Sequence, residues 1–212
     1  TVVIHNGIDL DYFQPREKSK NLLKKFNIQG DDIVFVSVAG TALHKGWQFL
    51  VEATSKLDNE LRKNIKIIIV GNSPKDEIMK QYVNQLNMQN NVIFTGFMND
   101  VREAVSIADI GFVLSIGVET ISFACREMMS MGKPVLVSAY AGLSENINNN
   151  QNGWVVKQKS SNQVYKFLQK INELDLQQYA YMAKQKANQE FGSVKFVNST
   201  IDLYRKIKGT GL

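Results

Sequence analysis

Six short apolar runs, rich in β-branched residues, recur along this chain with an amphipathic stretch between each and the next, and that alternation constrains the fold more than any other feature. The runs occupy residues 33–38, 65–70, 92–95, 109–114, 134–137 and 154–156. Between and after them, residues 47–57, 76–86, 101–107, 121–131, 144–148 and 161–171 read as helices. Strands separated by helical stretches predict a parallel sheet with crossover helices. Ile33-Val-Phe-Val-Ser-Val and Ile65-Lys-Ile-Ile-Ile-Val are almost continuously apolar, as strands covered on both faces are. The expectation is an α/β fold: a Rossmann-like parallel sheet with helices on both faces and two extra C-terminal helices, at 175–190 and 194–207. A short strand over 2–5, the Asn6-Gly7 turn and a helix over 18–26 come first. Residues 1–212 read as one domain, with 1–15 as a lead-in.

Composition narrows the function classes. At 44% apolar and 21% charged residues, the chain has the balance of a globular protein with ample core. No apolar stretch is long enough to cross a bilayer and no signal peptide is visible, so a cytoplasmic location is expected. The one cysteine, Cys125, excludes an intrachain disulfide and a cysteine metal cluster, and inside a helical run it reads as a small buried hydrophobe. The net charge of +5 is carried by dispersed lysines. That argues against nucleic-acid binding and leaves room for association with an acidic membrane surface, at the inner face of the membrane.

In open parallel sheets ligands bind beyond the carboxyl ends of the strands. That rule selects the loops 39–46, 71–74, 96–100, 115–122 and 138–142. Two of them carry candidate chemistry. Gly40-Thr-Ala-Leu-His-Lys45-Gly-Trp lies between a strand and a helix, where free backbone N–H groups favour a phosphate and Lys45 adds a full charge. Taken alone, Lys45 reads equally as a surface lysine, and the isolated His44 as a surface or packing residue. Glu119 sits just before the helix over 121–131, and Glu127 about two turns into it. Glutamate is rarely buried without a partner, and hydroxyl-rich ligands such as a ribose and a hexose would supply one. Two plainer readings remain open: Glu119 as an acid complementing the helix dipole, and Glu127 as a half-buried ion pair with Lys133 or Arg126. There is no Asp-x-Asp pair, nucleophile elbow, three-glycine dinucleotide fingerprint or Walker lysine, which disfavours a dehydrogenase or a P-loop kinase.

In order, these pieces resemble the C-terminal, nucleotide-sugar-binding domain of GT-B fold glycosyltransferases of family 4, the retaining group 1 transferases. The resemblance runs almost end to end. It rests on Val3-Ile-His-Asn-Gly-Ile-Asp9, His44-Lys-Gly-Trp with Leu50-Val-Glu-Ala53, Ile67-Ile-Ile-Val-Gly71 and Val92-Ile-Phe-Thr-Gly-Phe97. Glu119 to Glu127 matches the Glu-x7-Glu signature, and Gly132-Lys-Pro-Val135, Gly142, Glu145 and Gly153 follow it. The resemblance implies a donor site made of Thr41, Lys45, Gly71, Gly96, Phe97, Met98, Glu119, Thr120, Ile121, Ser122 and Glu127. Glu119 would hold donor-sugar hydroxyls, Glu127 the ribose, and Lys45 the departing diphosphate, with Glu119 and Lys45 as catalytic residues. Backbone groups at 96–98 would frame the base. No cofactor and no metal are implied; the donor would be a UDP- or GDP-linked sugar and the acceptor a glycan or lipid-linked molecule. Two departures stand out. Thr41 occupies the place of a usual Arg, and Thr120 and Ser122 stand where glycines are usual. The family's N-terminal acceptor domain has no counterpart here, so the chain reads as a fragment inactive alone. The family's last helix, here 193–208, crosses back onto that domain, so the face of Phe196, Ile201, Tyr204 and Ile207 is expected to be partly uncovered. A non-catalytic nucleotide-sugar-binding module and a GT-B-like epimerase are the competing expectations.

Overall fold

The computed structural model describes residues 2–209 apart from 73–75 and the side chain of Asp76; the second half of the 71–74 loop lies outside the described residues. The six apolar runs are the six strands β1 (Ile33–Ser37), β2 (Ile65–Ile69), β3 (Val92–Phe94), β4 (Ile110–Val113), β5 (Val135–Ser138) and β6 (Gly153–Val156). All pair in parallel, in the order β3-β2-β1-β4-β5-β6. Successive strands build outward from β1 to β3, and the chain then returns to add β4 on the other side of β1. The loops leaving β1 and β4 therefore diverge in opposite directions and open a crevice between them.

Helices cover both faces: α1 (Lys20–Lys25), α2 (Trp47–Ser55), α3 (Asn59–Lys63), α4 (Asp76–Gln85), α5 (Val101–Ile107), α6 (Phe123–Ser130), α7 (Ser161–Leu168), α8 (Leu176–Glu190) and α9 (Ser193–Gly209). Strand alternation divides the core. Phe35, Ile67, Phe112 and Leu136 pack with α2, α4 and α7 on one face. Val34, Val36 and Ile68 meet α1 and α5 on the other, where Val113, Val135 and Val137 meet α6 and α8. Each such fully buried side chain contributes about 1.5–3 kcal/mol.

Three expectations need correction, and one helix went unforeseen. Residues 2–5 form no strand: Val2 and Val3 are exposed, and in this segment Ile8 alone makes a bridge, to Gly192. The helix expected at 144–148 is a 3-10 turn over Ala141–Asn146. The helix expected from 121 begins at Phe123, because Ser122 caps it by accepting from the Cys125 N–H. The sequence reading missed α3, a polar helix capped by Asp58. At the C-terminus α9 has no buried residue, and Val194, Val197, Ile201 and Tyr204 are exposed, with Phe196 half-buried.

Candidate functional site

The crevice between β1 and β4 brings together two side chains 74 positions apart. Lys45 Nζ lies 3.2 Å from Glu119 Oε2. Ser115 Oγ donates to the same oxygen at 3.1 Å, and its own carbonyl accepts from Ser138 Oγ at 2.6 Å. The Glu119 side chain is 9% exposed and that of Lys45 20%. The loops that carry them are locked to each other by backbone, Ile116 N–H donating to the His44 carbonyl at 2.8 Å. Gly46 explains the Lys-Gly pair. It has φ +75°, and a Cβ there would sit 1.8 Å from the Leu114 carbonyl oxygen. Only glycine lets the loop after β1 lie this close to the end of β4.

The loop carrying Glu119 is strained. Val118 and Ser122 both have positive φ, 49° and 61°, each costing about 1–3 kcal/mol unless the surroundings hold it. They do: the Thr120 carbonyl accepts from Gly142 N–H at 2.9 Å, and the Ile121 carbonyl from Asn146 Nδ2. Thr120 is exposed, while Ile121 and Ser122 are buried. Ser122 thus stands in the left-handed conformation that glycine takes most easily.

Glu127 is half-buried on α6, and the ion pair considered for it does not form. Lys133 Nζ donates instead to the Ser106 and Ala108 carbonyls, at 3.2 and 2.7 Å. Arg126 turns toward Asn146 and the N-terminal segment. Burial, with no counter-charge among the described residues to offset it, raises the Glu127 pKa above its ordinary value. The same cause pushes Lys133 down to about 8 and the Cys125 thiol, fully buried, up to about 12.

On the β2 and β3 side of the crevice, Gly71 N–H donates to the Gly96 carbonyl at 3.0 Å. Asn72 knits this region together: its Oδ1 accepts from Phe97 N–H at 2.6 Å, and its carbonyl accepts from Thr41 Oγ1 at 3.0 Å. Thr41 is buried and its hydroxyl is engaged in this packing. Phe97 is 71% exposed and Met98 half-buried. Sequence reasoning did not single out Asn72, Ser115 or Asn146, and named Arg126 only as a partner for Glu127. Short polar residues in loops read as generic turn formers, and only the fold shows what they join. Neither of two cavities is lined by Lys45 or Glu119. One, of about 620 Å³, lies between residues 2–5 and α9; the other, of about 600 Å³, lies behind the loop after β1, against Trp47 and Tyr82.

The profile of the family "Glycosyl transferases group 1" matches residues 18–189. The chain belongs to this family. An uncharacterized glycosyltransferase of Methanocaldococcus jannaschii is 25% identical over 210 residues, which is 96% of this chain and 53% of that protein. A solved glycosyltransferase from Rickettsia africae shares the fold with a TM-score of 0.86 at 23% identity, over 97% of this chain and 57% of that one. Anabaena HepE, solved in complex with UDP, gives 0.84 at 21% identity with the same coverages. This group 1 transferase chain thus spans about half the length of the relatives it matches.

Proposed function

We propose that this chain is the donor-binding domain of a retaining, metal-independent glycosyltransferase that moves a sugar from a nucleoside-diphosphate sugar to a glycan or lipid-linked acceptor. The observation that carries the reading is the contact of Lys45 with Glu119 at the point where strand order reverses. Glycosyl transfer develops positive charge on the sugar and negative charge on the departing diphosphate. A carboxylate and an ammonium set side by side match that separation, and Glu119, held by Ser115, stays in place when a diphosphate draws Lys45 away. Glu127, without a counter-charge, accepts hydroxyl donors such as those of a ribose. The charge of Lys45, and not a divalent ion, balances the diphosphate. HepE has been solved with UDP and with UDP-glucose, which favours a UDP-linked donor over a GDP-linked one. The pair lines neither of the two cavities described above, which suits a donor held between two domains, the second contributing the acceptor site. Cytoplasmic synthesis of a surface polysaccharide, with the whole enzyme at the inner face of the membrane, is the setting we favour.

Calorimetric titration of the chain with UDP, GDP and ADP, then with UDP-glucose, tests this. One nucleotide class should bind, Glu127→Gln should weaken that nucleotide, and Glu119→Gln should weaken only the sugar-linked form. Equal losses in both variants would sink the assignment of roles. Thr41 favours a second reading, a module that binds donor without turning it over, since its hydroxyl is used in packing where a second cation is usual. Donor hydrolysis by the whole protein separates the two.

A further inference from the structure

Arg126 is 2% exposed, and among the described residues it forms no ion pair with a carboxylate. A buried guanidinium costs free energy that an apolar residue on the same helix face would not, so its contacts call for a reason. They converge from three parts of the chain. Nε donates to Asn146 Oδ1 at 2.8 Å. Nη1 donates to the Asn6 carbonyl. Nη2 lies 3.4 Å from His5 Nδ1, whose Nε2 lies 3.1 Å from Glu145 Oε2. The guanidinium carbon sits 4.5 Å from the centre of the Phe191 ring, at the junction of α8 and α9. That junction is itself fastened to the N-terminal segment: Ile8 N–H donates to the Phe191 carbonyl, and Ser193 N–H to the Ile8 carbonyl.

Asn146 carries the link onward. It is fully buried, receives Arg126 through Oδ1, and gives both Nδ2 bonds to the carbonyls of Ile121 and Leu143. The Ile121 carbonyl belongs to the strained loop that follows Glu119. One amide therefore stands between Arg126 and that loop, and the planar fork of Arg126 spans the remaining distance to residues 5 and 6. Lysine, a point charge on a flexible stem, does not reproduce the fixed fork that reaches these partners at once.

We infer that Arg126 is a positioning residue that ties the order of loop 119–122 to the order of the N-terminal segment 5–8, so that whatever moves one end shifts the other. The inference rests on the reading of that loop as the element that holds the donor sugar. His5→Ala changes a side chain that is 42% exposed and pairs with Glu145. It should weaken UDP-glucose by roughly 2- to 30-fold, the reach of a contact along such a network, and weaken UDP less. In an Arg126→Gln background His5→Ala should add nothing, and Arg126→Lys should not restore affinity. Amide hydrogen exchange reads the coupling without ligand. His5→Ala and Arg126→Gln should each speed exchange at the Gly142 N–H, which donates to Thr120, as well as at the Ile8 N–H. Faster exchange at Ile8 with Gly142 unchanged overturns the inference, as does an equal effect of His5→Ala in both backgrounds. If the chain binds neither UDP nor UDP-glucose, the functional reading fails and the exchange result still decides this one. If Arg126→Gln does not fold, Arg126→Lys takes its place in the cycle with His5→Ala, read by Gly142 exchange.

Discussion

Glu119 and Glu127 lie eight positions apart, and the fold treats them in opposite ways. The Glu119 side chain is 9% exposed, and its charge is met inside the chain by Lys45 and Ser115. Glu127 is half-buried, and among the described residues no cation or hydrogen-bond donor meets its carboxylate. A carboxylate neutralised internally is part of the folded state's own balance. One that burial penalises without compensation lowers stability and gains from any ligand that offers it hydroxyls. The pair therefore divides into a residue the fold supports and a residue the fold makes receptive.

The strongest way to break this contrast is Lys45→Ala. It leaves Glu119 desolvated with the Ser115 hydroxyl and the Thr120 N–H as its donors. It should cost about 2–3 kcal/mol in chemical denaturation, less than the 3–5 kcal/mol of a fully buried pair because a fifth of Lys45 remains in water. Nucleotide affinity should fall with it. Glu127→Gln should do the reverse on stability while reducing nucleotide affinity about 10-fold or more, the worth of a hydrogen bond to a charged group. The sign follows from the raised pKa. The folded chain holds the Glu127 proton to higher pH than the unfolded chain, so wild-type stability falls as pH rises through the shifted pKa. Thermal melts across that range should show the wild type losing ground to Glu127→Gln as pH rises from the ordinary 4.5 toward neutrality; parallel curves would mean a counter-charge has been overlooked. Ser115→Ala, which removes one donor to Glu119, should cost about 1 kcal/mol and leave nucleotide binding unchanged.

The sheet was legible because its strands are almost continuously apolar runs, and the topological rule then put the loops of Lys45 and Glu119 in view. Their direct contact was not legible, because 74 residues separate them and only the close approach of Gly46 to Leu114 brings them together. Arg126 misled for a related reason. Beside Glu127 in sequence it reads as that residue's partner, whereas in a helix adjacent positions point about 100° apart. Residues 2–5 carry strand-like composition but find no neighbouring edge, and α3 escaped notice because its five residues hold little apolar pattern.

Cys125 has a practical consequence. A thiol fully enclosed by α6 and the sheet, with its pKa pushed up to about 12, remains protonated and unreactive toward alkylating dyes at neutral pH. A second cysteine placed at exposed Val118, or on the open face of α9 at Tyr204, would thus be the single labelling handle without removing the native one. A fluorophore at the first would report movement beside Glu119, and one at the second would report whatever approaches that helix.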